Sequence, residues 1–322
     1  MVVVKKKNLA MALVFVVVIS IFAYNEYIIT TETGVIKVSG AFALYPLMVV
    51  WAEEYEKLYP GVTIEVSAGG ADKGMTDALA GLVNIGMISR QITPTEVAEG
   101  AFYVAVAEGA VVATISANNP VLSTILAQGL TKQEFYDIFV AQNITTWGQA
   151  VGLASATQYP IHVYTRSDSA GAADTWAKSL GAKSQSDLKG IGVYADPGIV
   201  EALQTDPLGI GYNNLAYAYD NATGQQVSGI AVVPINFNGN GPINSSENFY
   251  STKADLVQAI QQGTYPSPPA QDLYLVTKNQ FTGVTKSFVE WILREGQMDV
   301  QESGYVPLSA ATVQTQLAKL QS

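Results

Sequence analysis

The segment YTRSDSAGAADTWAKSLG, Tyr164 to Gly181, sets an arginine and an aspartate at the end of an apolar strand, just before a helix that opens on small residues. That order of residue types suits the capture of an anion. A helix starting at Ala170, Gly171 and Ala172 leaves its first backbone N–H groups unpaired and uncovered, and its dipole adds about half a positive charge there. Arg166 can add a planar fork of donors. Asp168 admits two readings, an ion-pair partner that pins the turn or an acceptor for a protonated ligand.

The elements around this segment follow a strand, loop, helix rhythm. GVIKVSGAFALYPLMVVWAEEYEKLYPG predicts a strand over Val35 to Val38, a Gly/Ala loop, and a helix with Pro46 in its first turn. Leu47, Trp51, Tyr55 and Leu58 recur at helical spacing and should pack that helix on a sheet. Val62 to Val66 then leads into a second glycine-rich loop and helix, and Leu82 to Ile88 reads as a strand delivering Ser89 and Arg90. In open α/β sheets ligands gather beyond the carboxyl ends of the strands, so the loops at residues 40–44, 69–73 and 89–90 should share one rim. A middle section ending in GIGYNNLAYAY and a return strand near Gly229 to Pro234 predicts a second lobe. The expected division is 34–110 with 235–322 as one lobe and 111–234 as the other, joined by two crossings that act as a hinge. Phe288, Trp291 and Ile292 mark the buried stripe of a C-terminal helix.

With 322 residues, 48% of them hydrophobic and 14% charged, the chain can bury two cores. It has no cysteine, which excludes disulfide scaffolds and thiolate metal sites. The net charge of −10, with no basic cluster beyond the N-terminus, argues against nucleic acid as a partner. An anionic ligand would have to be drawn in by local dipoles. Lys5, Lys6 and Lys7 precede an apolar run from Leu9 to Ala23, so residues 1–30 read as a signal peptide or a membrane anchor. A run of fifteen residues, apolar but for Ser20, suits a cleaved signal, but Tyr24, Tyr27, Ile28 and Ile29 would extend it into an interfacial belt, and the anchor is the reading taken. Either way the bulk is expected outside the cytoplasm, where the sequons at Asn143, Asn221 and Asn244 would meet a glycosylation machinery.

Taken in order, SGAFALYPL, SAGGADKG, NIGMISR, RSDSAGAADTWAKSLG, LTKQEFYDIF, TTWGQA, GIGYNNLAYAY, DLYLVTK and EGQ…SGYVPL resemble the phosphate-binding proteins of ABC transporters, which have the periplasmic-binding-protein type II fold. The resemblance spans nearly the whole chain after the N-terminal segment. It implies two α/β lobes that close over phosphate or a similar oxyanion and dock on a membrane permease, with no metal or other cofactor. Carried over by motif, the ligand-binding positions are Ala43, Leu44, Ala71, Ser89, Arg166, Ala170, Gly171 and Ala172. The family's hydroxyls are largely gone: Ala41 and Phe42 stand where it has Ser or Thr, Ala71, Ala170 and Ala172 replace others, and its carboxylate falls at Ser89. Each hydroxyl lost removes about 0.5–1.5 kcal/mol, more toward a charged oxygen. Without that carboxylate, sulfate is no longer rejected by the same route, unless Asp72 or Asp168 substitutes as acceptor.

Simpler roles compete for several residues. Asp72 and Ser169 stand where helix N-caps belong, Lys73 and Arg90 can be surface charges, and His162 is a strand residue with a structural role. No GxSxG elbow, HExxH pair or catalytic cysteine is present, and Glu53 and Glu54 fall on a solvent face, so no enzyme is expected. The alternative to a solute-binding subunit is a membrane-attached surface or assembly protein built on the same fold, with weak or no anion binding.

Overall fold

Apolar residues on alternating positions fold Gly34–Gly40 (β1) and Val62–Ala68 (β2) into parallel neighbours, with Ile36, Val38, Val62 and Ile64 buried. The computed structural model describes residues 32–156, 158–239 and 241–321, so the expected N-terminal segment 1–30 lies outside the described residues. Among the described residues no helix is long and apolar enough to cross a membrane.

The remaining strands are Ile85–Ile88 (β3), Ala101–Ser116 (β4), His162–Arg166 (β5), Ile191–Val193 (β6), Gly209–Asn214 (β7), Ile230–Val232 (β8) and Ala270–Lys278 (β9). They run in the order β2-β1-β3-β9-β4-β7-β5-β6, with β8 also on β4. The helices of eight residues or more are Tyr45–Leu58 (α1), Ala71–Leu79 (α2), Lys132–Phe139 (α3), Gly171–Leu180 (α4), Ala195–Thr205 (α5), Lys253–Gln261 (α6), Gly283–Arg294 (α7) and Ala310–Gln321 (α8).

Two large apolar cores define two lobes. One gathers β1, β2, β3, α1 and α7, with Trp51, Tyr55, Phe288 and Trp291 at its centre. The other gathers α3, α4, β7 and α6 around Phe135, Phe139, Trp176 and Tyr212. The 16-residue β4 belongs to both: Val104 to Ala107 pack in the first core and Ala110 to Ile115 in the second.

The sequence reading needs four corrections here. Ile235, Tyr250, Leu256, Ile260 and Tyr265 pack in the second core, so the stretch from 235 to 270 joins that lobe rather than the first. β8 does form where a return strand is expected, but it adds to the second lobe's sheet through Thr114, Ile115 and Ser116, and the second crossing is made by β9 alongside β4. The third strand is shorter than expected, because Leu82 is 66% exposed in a turn before Ile85; Leu58 also faces solvent.

The predicted rim is present. Gly40 lies beside Ala68 and Met87, so the loops after β1, β2 and β3 leave one edge of the sheet together. Gly40 has φ of +136°, and Met87 and Gly74 leave no room there for a side chain, which lets α2 lie directly on the sheet.

Candidate functional site

At the end of β5, Arg166 turns inward with only 1% of its side chain exposed. Its Nε donates to Asp168 Oδ1 at 2.7 Å, its Nη2 donates to Asp168 Oδ2, and its Nη1 donates to Asp196 Oδ2 at 2.6 Å. Three of the five guanidinium N–H groups are thus taken, leaving one on each terminal nitrogen. Burial lowers the proton affinity of the guanidinium, but the charges of Asp196 and Asp168 more than reverse this. Burial likewise works to raise the Asp168 carboxyl, and is outweighed by the bonds and charge of Arg166 and by the Ala195 N–H, which hold it below its ordinary value. Ala195 reaches Asp168 at 3.0 Å from a left-handed backbone, φ +62°, a strained conformation that the site imposes on the start of α5.

Asp196 is fully buried, and its oxygens also accept from the backbone N–H of Asn214 at 2.8 Å and from the Asn214 side chain at 3.0 Å. Behind Arg166, Tyr212 hydroxyl accepts from the Arg166 N–H at 3.1 Å and shares a hydrogen bond with Thr165; burial pushes that phenol up to about 12.

The first lobe supplies the opposite wall. Ala41, Phe42, Ala43, Gly70, Ala71 and Ser89 face Arg166, Ala170, Gly171, Ala172 and Asn214 across a narrow closed seam with no room for a water molecule. Gly171 rests on Ser89: a Cβ at 171 would run into both Oγ and the carbonyl of Ser89. The Phe42 ring covers the guanidinium of Arg166 at 5.3 Å, meets Tyr194 edge-on at 5.8 Å, and its carbonyl accepts from Tyr217 hydroxyl at 3.3 Å. Further bonds cross the seam from Ser169 to Asp72 and from Thr175 to Gln271.

Seven of the eight carried-over positions therefore line one space, and Leu44 is the exception. It is fully buried in the first core, and its N–H is used by the Ala41 carbonyl at 3.2 Å, because the turn after β1 closes on itself before α1 begins. The Ala170 N–H is also taken, by Gln185 Oε1 at 2.8 Å. The N–H groups of Ala43, Ala71, Gly171 and Ala172 have no acceptor among the described residues and remain as donors.

The N-cap readings fail: the caps of α2 and α4 are Gly70 and Ala170, without side-chain bonds, whereas Asp72 sits inside the first turn. Asp72 instead joins Arg90 at 2.7 Å, and Arg90 joins Glu96 at 2.7 Å, so neither Asp72 nor Asp168 is an unoccupied acceptor. Lys73 pairs with Asp77, and His162 bonds Asp206 at 2.7 Å in a structural contact on β5. Among the described residues no group of three or more His, Cys, Asp or Glu could hold a metal. Sequence reasoning missed Asp196, Asn214 and the covering role of Phe42. Asp196 lies 30 residues beyond Arg166 in an ordinary Asp-Pro-Gly helix start, and only the pairing of β5 with β6 and β7 brings them together.

Two α/β lobes sharing crossing strands, with an arginine and two helix starts meeting at the seam, define a ligand-binding clamp. The chain belongs to the family of the PBP superfamily domain, whose model matches residues 28–295. It is 26% identical over 303 residues to the phosphate-binding protein PstS of Pseudomonas aeruginosa, covering 87% of this chain and 85% of the relative. PstS of Bacillus subtilis is 26% identical over 287 residues, covering 86% and 82%. Among solved structures, a putative phosphate ABC transporter substrate-binding protein from Clostridium perfringens with bound phosphate superimposes with a TM-score of 0.68 at 24% identity, covering 86% of this chain and all of that one. An ABC-type phosphate transport receptor from Vibrio cholerae gives 0.60 at 19% identity over 85% and 100%. At these identities the structural likeness speaks to the fold.

Proposed function

We propose that this chain is an extracytoplasmic solute-binding subunit that captures phosphate, or another tetrahedral oxyanion, between its lobes and delivers it to an ABC permease. One observation carries the reading: Arg166, Ser89 and the uncapped starts of α2 and α4 converge on a single space between the lobes. Backbone donors and helix dipoles attract an oxyanion without requiring a basic surface, which suits a chain of net charge −10. The relatives named as phosphate-binding proteins support phosphate as the first ligand to test. The exposed sequon residues Asn143, Asn221 and Asn244 accord with a location outside the cytoplasm, and the apolar run after Lys7 with attachment to its membrane.

The second reading, a membrane-attached surface or assembly protein with weak or no anion binding, is favoured by how little of Arg166 is left open. Two carboxylates and a phenyl ring already occupy much of its surface. Calorimetric titration of the purified protein with phosphate, sulfate, molybdate and arsenate separates the two. Heat with phosphate is expected; silence with every anion would leave only the second reading.

A further inference from the structure

The geometry points to Asp196 as a residue that sets ligand selectivity by charge: placed behind Arg166, it makes the site prefer a monoanion, dihydrogen phosphate, to the dianions hydrogen phosphate and sulfate. This rests on the oxyanion reading above and specifies which ionic form that site takes. Asp196 contributes no surface to the space between the lobes, whereas Arg166 and Asn214, which it holds, both line that space. It therefore acts as a positioning residue, through the guanidinium rather than by contact with the ligand.

The charged groups around the site are few. The β5 turn brings Arg166 and Asp168, α5 brings Asp196, and the first lobe faces them with Phe42, Ser89 and backbone. On that lobe's rim Asp72 pairs with Arg90, Arg90 also with Glu96, and Lys73 with Asp77. Tyr212 and Tyr217 stand close by, their phenols pushed up by burial and so neutral near neutral pH, and Tyr194 packs on Phe42. One guanidinium thus answers to two carboxylates, and the dipoles of α2 and α4 supply only about half a charge each. Together those dipoles about offset the second carboxylate, so the site carries no net positive charge, and a second charge on the ligand enters a buried, weakly screened place with nothing to balance it. Because Asp196 is covered, it cannot accept a proton from the ligand and distinguishes total charge alone.

The test is calorimetric titration of the full chain and of Asp196→Asn with phosphate and with sulfate, from mildly acidic to mildly alkaline pH. Sulfate stays a dianion throughout and reports any titration of the protein, whereas phosphate gains its second charge across the range. The wild type should lose affinity for phosphate relative to sulfate as pH rises. Asp196→Asn should flatten that loss and raise sulfate affinity about tenfold. A role in structure alone would lower both affinities together and leave their ratio and pH slope unchanged, which would overturn the inference. If the variant does not fold, a wild-type phosphate-to-sulfate ratio that stays flat with pH overturns it equally. Absence of heat with either anion, in both proteins, would instead remove the oxyanion reading beneath it.

Discussion

Arg166 and Asp196, 30 residues apart, meet at 2.6 Å in the interior of the second lobe, and with Asp168 they hold one guanidinium between two carboxylates. The arginine is locked before any ligand arrives, so it presents its two remaining N–H groups in a fixed direction.

Removing that arginine leaves two buried carboxylates without their partner. Arg166→Ala should lose about 3–5 kcal/mol of stability in urea denaturation at neutral pH. The folded Asp168 carboxyl lies below its ordinary value of 3.8, so its contribution is full above that value and is lost as pH falls through the folded one. The gap between wild type and variant should therefore narrow in acid. A calorimetric loss of anion binding in this variant must be read beside its melting temperature.

Gly171 offers a cleaner way to keep the clamp open. As the first residue of α4 it tolerates alanine in the helix itself, but a Cβ would strike Ser89 across the seam. Gly171→Ala should keep its melting temperature within a few degrees, give a larger radius of gyration in X-ray scattering, and lose at least about tenfold in anion affinity, ~1.4 kcal/mol. An unchanged radius would show that Ser89 moves aside.

The Phe42 ring lies over Arg166 at 5.3 Å. Phe42→Thr uncovers the guanidinium and adds a hydroxyl. A hydrogen bond to a charged oxygen is worth about 1.5–3 kcal/mol, so phosphate affinity should rise tenfold or more, as titration calorimetry would record. The lost cation–π contact should cost about 0.5–1 kcal/mol of stability.

Lys253 is 4% exposed, with its ammonium donating to Asn221 Oδ1 at 2.5 Å and the Ser303 carbonyl at 2.6 Å. Burial is the main cause that lowers it from 10.5 to about 8, against a weaker opposing pull from Asp220. Between those values the unfolded chain binds more protons than the folded one, so this group's contribution to stability rises with pH through that window. Urea midpoints measured across mildly alkaline pH should show that slope in the wild type and lose it in Lys253→Met.

Local residue pattern was enough to read the strand, loop and helix rhythm, the burial of Trp51, Tyr55, Phe288 and Ile292, and the placing of Arg166 just before a helix that starts on small residues. These are local consequences of hydrophobic period, proline and glycine placement, and side-chain type, which the chain carries within a few residues. The lobe membership of residues 235–270 was not legible, because apolar segments do not state which of two cores they will join. Nor was the use of the Leu44 and Ala170 N–H groups, the Phe42 cover, or the second carboxylate on Arg166. Those relations were decided only when the β5, β6 and β7 pairing set Asp196 behind the arginine and the crossing strands β4 and β9 brought Ser89 against Gly171. Electrostatics at a buried site depends on distances between residues remote in sequence, and tertiary packing alone sets them.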